Sequence, residues 1–292
     1  VPGSSANLGP GFDSLGLALA IHDTVEVSVA ESGVEVRVSG EGAGQVPGDE
    51  SHLVVRAIRA ALGYIGAPQP GLRVRCHNTI PHGRGIGSSA AAVVSGAIAA
   101  RGLLDDPGLL DDDDVLAVAN AFEGHPDNAS ASLFGALVVG WVTDERARAL
   151  CLDPHPDVQA VVCVPGTELA TSKARAMLPP TVPHADASFN AGRAALLIEA
   201  LVRRPEYLFD ATADRLHQHY RAPAMPATAD LVAELRADGL AATVSGAGPS
   251  VLVLGTGDLP ARVTAVLGGG RSPQVWQLLT PGIDRAGAVL QV

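Results

Sequence analysis

Residues 81–91 read Pro81-His82-Gly83-Arg84-Gly85-Ile86-Gly87-Ser88-Ser89-Ala90-Ala91 and run directly into the apolar, alanine-rich stretch 92–104. Glycines at alternate positions, a pair of serines and a helix-forming run describe a loop that closes onto a helix N-terminus. The first turn of a helix leaves backbone N–H groups without partners and carries the positive end of the helix dipole, so it draws an anion such as phosphate. Glycine at 83, 85 and 87 lets the backbone approach that anion, and the hydroxyls of Ser88 and Ser89 add donors. The expected feature is a phosphate cradle followed by a helix over about 89–104. The competing reading is a plain glycine-rich turn ahead of a core helix, and the flanking sequence has to decide between them.

Two familiar phosphate loops do not fit. A Walker loop places Lys directly after its last glycine, but Ser88 follows Gly87 and the chain's single lysine is Lys173. A dinucleotide fingerprint spaces its glycines G-x-G-x-x-G, whereas residues 83–87 run Gly-Arg-Gly-Ile-Gly.

The loop does resemble the phosphate loop of the GHMP kinases, the superfamily of galactokinase, homoserine kinase, mevalonate kinase and phosphomevalonate kinase. Two other stretches resemble the remaining signatures of that superfamily and occur in the same order. Near the start stands Pro2-Gly3-Ser4-Ser5-Ala6-Asn7-Leu8-Gly9-Pro10-Gly11-Phe12-Asp13, and near the end Ser245-Gly246-Ala247-Gly248-Pro249-Ser250. Within the superfamily, the first of these and Glu123-Gly124-His125-Pro126-Asp127-Asn128 are most similar to the homoserine kinases.

Several expectations follow from that resemblance. The fold class is α+β with two domains. Residues 1–150 would form a ribosomal-protein-like α/β domain carrying the ATP phosphate loop, and residues 151–292 a ferredoxin-like domain, with the active site between them. The reaction implied is transfer of the γ-phosphate of ATP to the hydroxyl of L-homoserine, on the route to threonine. ATP would sit on Pro81 to Ala91, and Mg2+ on Ser89 and a helix-borne carboxylate. Glu123 is the candidate, being the one acid between Val115 and Gly124. Asn7 and Asp13 would hold the hydroxyl and ammonium ends of the acceptor, with His125 and Asn128 lining the same pocket; Asn7, Asp13 and Asn128 are the catalytic candidates. An arginine fork suits the acceptor carboxylate, and Arg175 and Arg221 match the family pattern, with Arg193 a third candidate. Ser245 and Gly246 would close over the acceptor.

The resemblance leaves the general base open. Phosphoryl transfer can run on positioning and electrostatics, so one reading has no side chain removing the proton and the other assigns that to Asp127. Two residues depart from the pattern: His52 stands where relatives often carry Asn near the adenine, and Ala131 replaces a frequent Pro. A sister kinase acting on another small alcohol, and a nucleotide-binding sensor without activity, are the alternatives.

Composition agrees with a metabolic protein. The chain has 292 residues, enough for two domains, and a formal net charge of −11, which disfavours nucleic-acid or anionic-membrane surfaces. Cys76, Cys151 and Cys163 are scattered and read as reduced thiols. No apolar run spans a membrane, so a cytoplasmic protein, as a homodimer by resemblance, is expected. The chain opens at Val1 inside the first motif, and a short strand is expected upstream.

In chain order, alternation at Val25, Val27, Val29 and at Val34, Val36, Val38 predicts two half-buried strands. A helix over about 53–65 and a strand over 72–76 lead to the phosphate loop. Beyond the helix that follows it, a second helix ends near Phe122, and His125 to Asn128 are expected in a loop. A strand over 133–142 and a boundary over 143–156 come next. The remainder reads as a strand at 158–164, helices near 172–177, 187–203, 208–220 and 230–237, strands at 242–245 and 251–254, a further helix, and strands near 275–279 and 288–292.

Overall fold

The structure is a computed structural model in which residues 1–269 and 274–291 are described. Three sheets and their helices build it. The first sheet contains β1 (Pro2–Ala6), β2 (Leu15–His22), β6 (Leu137–Thr143) and β7 (Arg146–Leu152) in the antiparallel order β1-β2-β6-β7. The second places β5 (Gly71–Asn78) between β3 (Thr24–Ala30), antiparallel to it, and β4 (Val34–Gly40), parallel to it. Its register sets Val27, Val74 and Val36 in one row, the period-2 pattern turned toward a helical layer; in the next row Leu72 and Val34 pack there too, while their neighbour Val29 is exposed.

That layer is α1 (Leu53–Tyr64), α2 (Ser88–Gly102), α3 (Asp112–Glu123) and α4 (Asp127–Phe134). The α2 helix is apolar on nearly every face because it is enclosed on nearly every face, with Val93, Val94, Ala97 and Ala100 fully buried. Gly96 lets α1 come close; a Cβ there would run into the Val54 carbonyl. The mass packed around α2 fixes the phosphate loop at its N-terminus.

The second half carries the third sheet, order β11-β8-β10-β9, from β8 (Gln159–Pro165), β9 (Ala241–Val244), β10 (Val251–Gly255) and β11 (Trp276–Leu279). Its helices are α5 (Thr171–Ala176), α6 (His184–Val202), α7 (Leu208–Ala211), α8 (Gln218–Arg221), α9 (Pro226–Ala237) and α10 (Leu259–Gly269). One apolar core joins Leu8, Leu15, Leu17 and Leu19 to Val162, Leu197, Leu201 and Leu252, so the two halves meet through packed hydrocarbon. No described helix is long and apolar enough to cross a membrane.

Four expectations need correction. Residues 127–134 form helix α4, so the strand expected over 133–142 begins only at Leu137. The carboxylate of Asp127 suits a helix's first turn, and the small Ala129 to Ser132 pack against the first sheet, where Gly16 leaves room for the Asp127 carbonyl. The charged segment 143–156 is not merely a connection; it carries β7, whose exposed face bears the arginines. The helix expected over 208–220 is broken between α7 and α8, because the Asp214 carboxylate accepts from the amides of Leu216, His217 and Gln218 and starts a new turn. Residues 288–291 carry no strand, and Val292 lies outside the described residues. Instead the C-terminal segment returns to β2 through Asp284 N to Ala18 O (3.1 Å) and to the end of α4 through Ala288 N to Leu133 O (2.9 Å).

Candidate active site

The phosphate loop forms as its glycines require. Gly83, Gly85 and Gly87 have φ of 62°, 73° and 74°, in the left-handed region that favours glycine. Gly87 caps α2 with no side-chain bond at that end, so the first amides of the helix are left for an anion. Gly85 is wedged against the Ser245 and Gly248 carbonyls, where a Cβ would collide with both.

Short hydrogen bonds bring the three motifs together. Ser245 Oγ lies 2.7 Å from Gly85 O and 2.8 Å from Ser5 Oγ. Ser4 N donates to Ile86 O (3.1 Å) and Gly246 N to Ala6 O (3.1 Å). Asn7, in a left-handed conformation and almost wholly buried, donates from Nδ2 to Gly246 O (2.8 Å) and accepts at Oδ1 from the Asp13 amide (2.9 Å). One hydrogen of its NH2 group is then left for another acceptor.

Around this junction lies a cleft of about 630 Å³, lined by the loop glycines and by Asn7, Asp13, Ser89, Glu123, His125, Asp127, Asn128, Arg175, Arg221 and Gly246. At one end Ser89 Oγ donates to Glu123 Oε1 at 2.6 Å. These two hard oxygen donors beside an anion-binding helix end suit Mg2+, which takes one or two protein oxygens and keeps its waters. At the other end the Arg175 fork grips Asp13 with both nitrogens, at 3.0 and 2.7 Å. The Asp13 hydrogen bond, opposed by burial, raises the Arg175 pKa further. Arg221 is fully buried beside the pair with its Nε unpartnered, and both guanidinium groups lie over the Phe12 ring, at 5.3 and 5.5 Å. Burial and then the charge of Arg175 lower the Arg221 pKa, while Asp13, Asp214 and Asp127 work against that.

Between these ends, His125 Nδ1 is 2.6 Å from Asp127 Oδ1, which also accepts from Asn128 N (2.7 Å). Burial disfavours charge on His125, but the bond and charge of Asp127 outweigh it and raise its pKa. The second Asp127 oxygen is buried without a partner. Asn128 takes the Ser4 hydroxyl at its Oδ1 (3.0 Å), which leaves its NH2 as a donor in the cleft. Pro81 and Arg84 face a different groove, so their side chains do not line the cleft. Arg193 is also elsewhere, with its guanidinium over the Phe189 ring.

Sequence reasoning missed His217. It is fully buried, its Nε2 lies 2.8 Å from Gly9 O and its Nδ1 3.2 Å from Arg221 Nη1. Those partners fix a neutral ring that donates from Nε2 and accepts at Nδ1. Burial lowers its pKa and Arg221 adds to that, against the charges of Asp214 and Asp13. A depressed folded pKa means this contribution to stability is complete above the ordinary value of 6.5 and is lost as pH falls through the folded value. Thermal melts between about pH 5 and 8 are expected to show the native chain losing stability on the acid side more steeply than His217→Gln.

A second cavity of about 850 Å³ shares Ser88 and Ser89 with the cleft. Its walls are mainly apolar, from Val25, Val46, Leu53, Val54, Cys76 and Ala92. His52 Nδ1 and Ser95 Oγ also line it, both buried and without partners.

Comparison with known proteins agrees with this geometry. Residues 52–136 match the family model for the GHMP kinases N-terminal domain, and residues 195–268 match the GHMP kinases C-terminal model. The chain is 49% identical to the homoserine kinase of Streptomyces coelicolor, over 99% of this chain and 93% of that one. It is 54% identical to the homoserine kinase of Corynebacterium efficiens, over 88% of this chain and 84% of that one. Among solved structures it is similar to homoserine kinase from Cytophaga hutchinsonii, with a TM-score of 0.86 at 24% identity, covering 98% and 94% of the two chains. A putative homoserine kinase from Listeria monocytogenes gives 0.75 at 28% identity, covering 98% and 96%. With both family models matched in order and their motifs meeting in one cleft, the chain belongs to the GHMP kinases and has their two-domain fold.

Proposed function

We propose that the chain transfers the γ-phosphoryl group of ATP to the hydroxyl of L-homoserine, the activity named for its relatives. The observation that carries this reading is the Arg175–Asp13 pair with Arg221 beside it, facing Ser89 and Glu123 across one cleft. An amino acid is a zwitterion and can exchange partners with that pair. Its ammonium takes Asp13, and its carboxylate takes the forks of Arg175 and Arg221. A hydroxy acid without an ammonium would draw Arg175 from Asp13 and leave that carboxylate uncompensated, and a neutral sugar would engage neither charge.

The side-chain hydroxyl then points toward the phosphate loop, where the free amide hydrogens of Asn7 and Asn128 can orient it. The first amides of α2 hold the phosphates, and Mg2+ on Ser89 and Glu123 would neutralise charge on the transferring group. In our reading no side chain formally takes the hydroxyl proton, which passes to the phosphate. Asp127→Asn is therefore expected to lower kcat by less than about tenfold, whereas loss of a general base costs roughly 10²–10⁴. Steady-state ADP release separates the two outcomes. The division near residue 150 and a homodimer belong to the same proposal, and light scattering tests the second.

The apolar cavity next to Ser88 would take the nucleoside. His52 is held neutral there, since burial and then His82 lower its pKa, so it can donate or accept at a base edge. Removing one such bond in His52→Leu is expected to raise the KM for ATP about fivefold, the ~1 kcal/mol of a neutral hydrogen bond, with kcat unchanged.

ADP release with L-homoserine, measured beside L-serine, L-threonine, mevalonate and galactose, tests the proposal. Turnover confined to homoserine is expected. Turnover with a different alcohol would replace the substrate, and binding of ATP without any turnover would favour a sensor.

A further inference from the structure

Arg84 stands in the middle of the phosphate loop, yet its guanidinium binds the other half of the molecule. Its Nε donates to Pro165 O at 3.0 Å and its Nη2 to Gly166 O at 3.0 Å. Its Nη1 donates to His82 O at 2.9 Å and lies 2.9 Å from Glu168 Oε1. The side chain is 17% exposed. The backbone adds a bond beside it, from Leu169 N to Gly83 O at 3.0 Å. All of these partners except His82 belong to the segment that leaves β8 and enters α5.

That segment works as a strap. Leu169 seats it in an apolar cluster with Ala174, Met225 and Val244. From there α5 carries Thr171 and Arg175 to the cleft, where Arg175 meets Asp13. One end of the strap is thus fixed to the phosphate loop, and the other delivers a cation to the acceptor side. The planar fork of arginine is suited to this fan of acceptors; a lysine offers its donors from a single point.

We infer that Arg84 is a positioning residue that fixes the strap and, through it, Arg175 over the acceptor, and that it is not a phosphate ligand. Read as acceptor specificity, this rests on the assignment of Arg175 to the substrate carboxylate. Arg84→Met in the full chain keeps the stem and removes every donor. Calorimetric titration of MgADP is expected to give an affinity within threefold of the native chain. The KM for L-homoserine is expected to rise at least tenfold, and tryptic cleavage after Lys173 or Arg175 in the nucleotide-free protein to quicken at least fivefold. A fall in MgADP affinity matching the rise in KM would make Arg84 a nucleotide contact. An unchanged cleavage rate would mean that the strap is held without it. Either result overturns the inference. Should the Met variant fail to fold by circular dichroism, Glu168→Ala removes one exposed acceptor of the set, and a two- to threefold rise in the KM for L-homoserine and in the cleavage rate is expected; no change overturns the inference. If the native chain does not phosphorylate homoserine, the functional reading fails alone, and the cleavage comparison still decides the clamp.

Discussion

Replacing Asp13 by Asn is expected to lower kcat/KM for L-homoserine by about two to four powers of ten while shifting the melting temperature little. The asymmetry comes from solvent. In the free protein the side chains of Asp13 and Arg175 are 33% and 41% exposed, so their pair is worth about 1 kcal/mol or less to stability. Once an acceptor covers the cleft, the charges are desolvated, and removing one partner of a buried ion pair costs ~3–5 kcal/mol. Asn is the informative replacement because Asp13 has φ of 56°, a left-handed conformation that Asn tolerates and Ala does not. Steady-state kinetics beside a thermal melt checks both halves of the expectation. Equal losses of activity in Asp13→Asn for homoserine and for an analogue without the amino group would remove Asp13 from the ammonium site.

How much of this was legible depended on whether residues that act together are contiguous. The phosphate loop was readable because glycine spacing and the helix that follows are local facts, and the structure gives those glycines the left-handed conformations such a loop needs. Glu123 was singled out as the one acid between Val115 and Gly124, and its carboxylate stands 2.6 Å from Ser89 Oγ. Helix α4 was not readable. Its small, polar residues have weak helix propensity, and what stabilises it is the first sheet beneath, which leaves space at Gly16. Arg84 was read as part of the ATP loop from its position alone, whereas its acceptors at 165 and 166 are more than 80 residues away. His217 was invisible for a related reason: the turn built by Asp214 aims it at Arg221 and Gly9, and a lone histidine near a helix start announces neither partner.

Glu123→Gln is expected to lower kcat by about 10²–10³ at ordinary magnesium, the cost of removing one preorganised electrostatic stabiliser, and to raise the Mg2+ concentration for half-maximal rate at least tenfold. The substitution is nearly isosteric, and a Gln amide oxygen can still accept the Ser89 hydroxyl that Glu123 accepts now, so the end of α3 should keep its shape. What it loses is the charge. A hard divalent ion distinguishes a carboxylate from an amide far more sharply than a hydroxyl donor does. Ser89→Ala should act in the same direction but less, since it removes a neutral ligand. The double variant should be little worse than Glu123→Gln alone, because both side chains act through one ion and their effects are not additive. Titrating the rate against Mg2+ at fixed ATP checks all three variants. An unchanged magnesium dependence in Glu123→Gln would move the metal to another carboxylate, and Asp127, with one oxygen buried and unpartnered in the same cleft, would be the next to test.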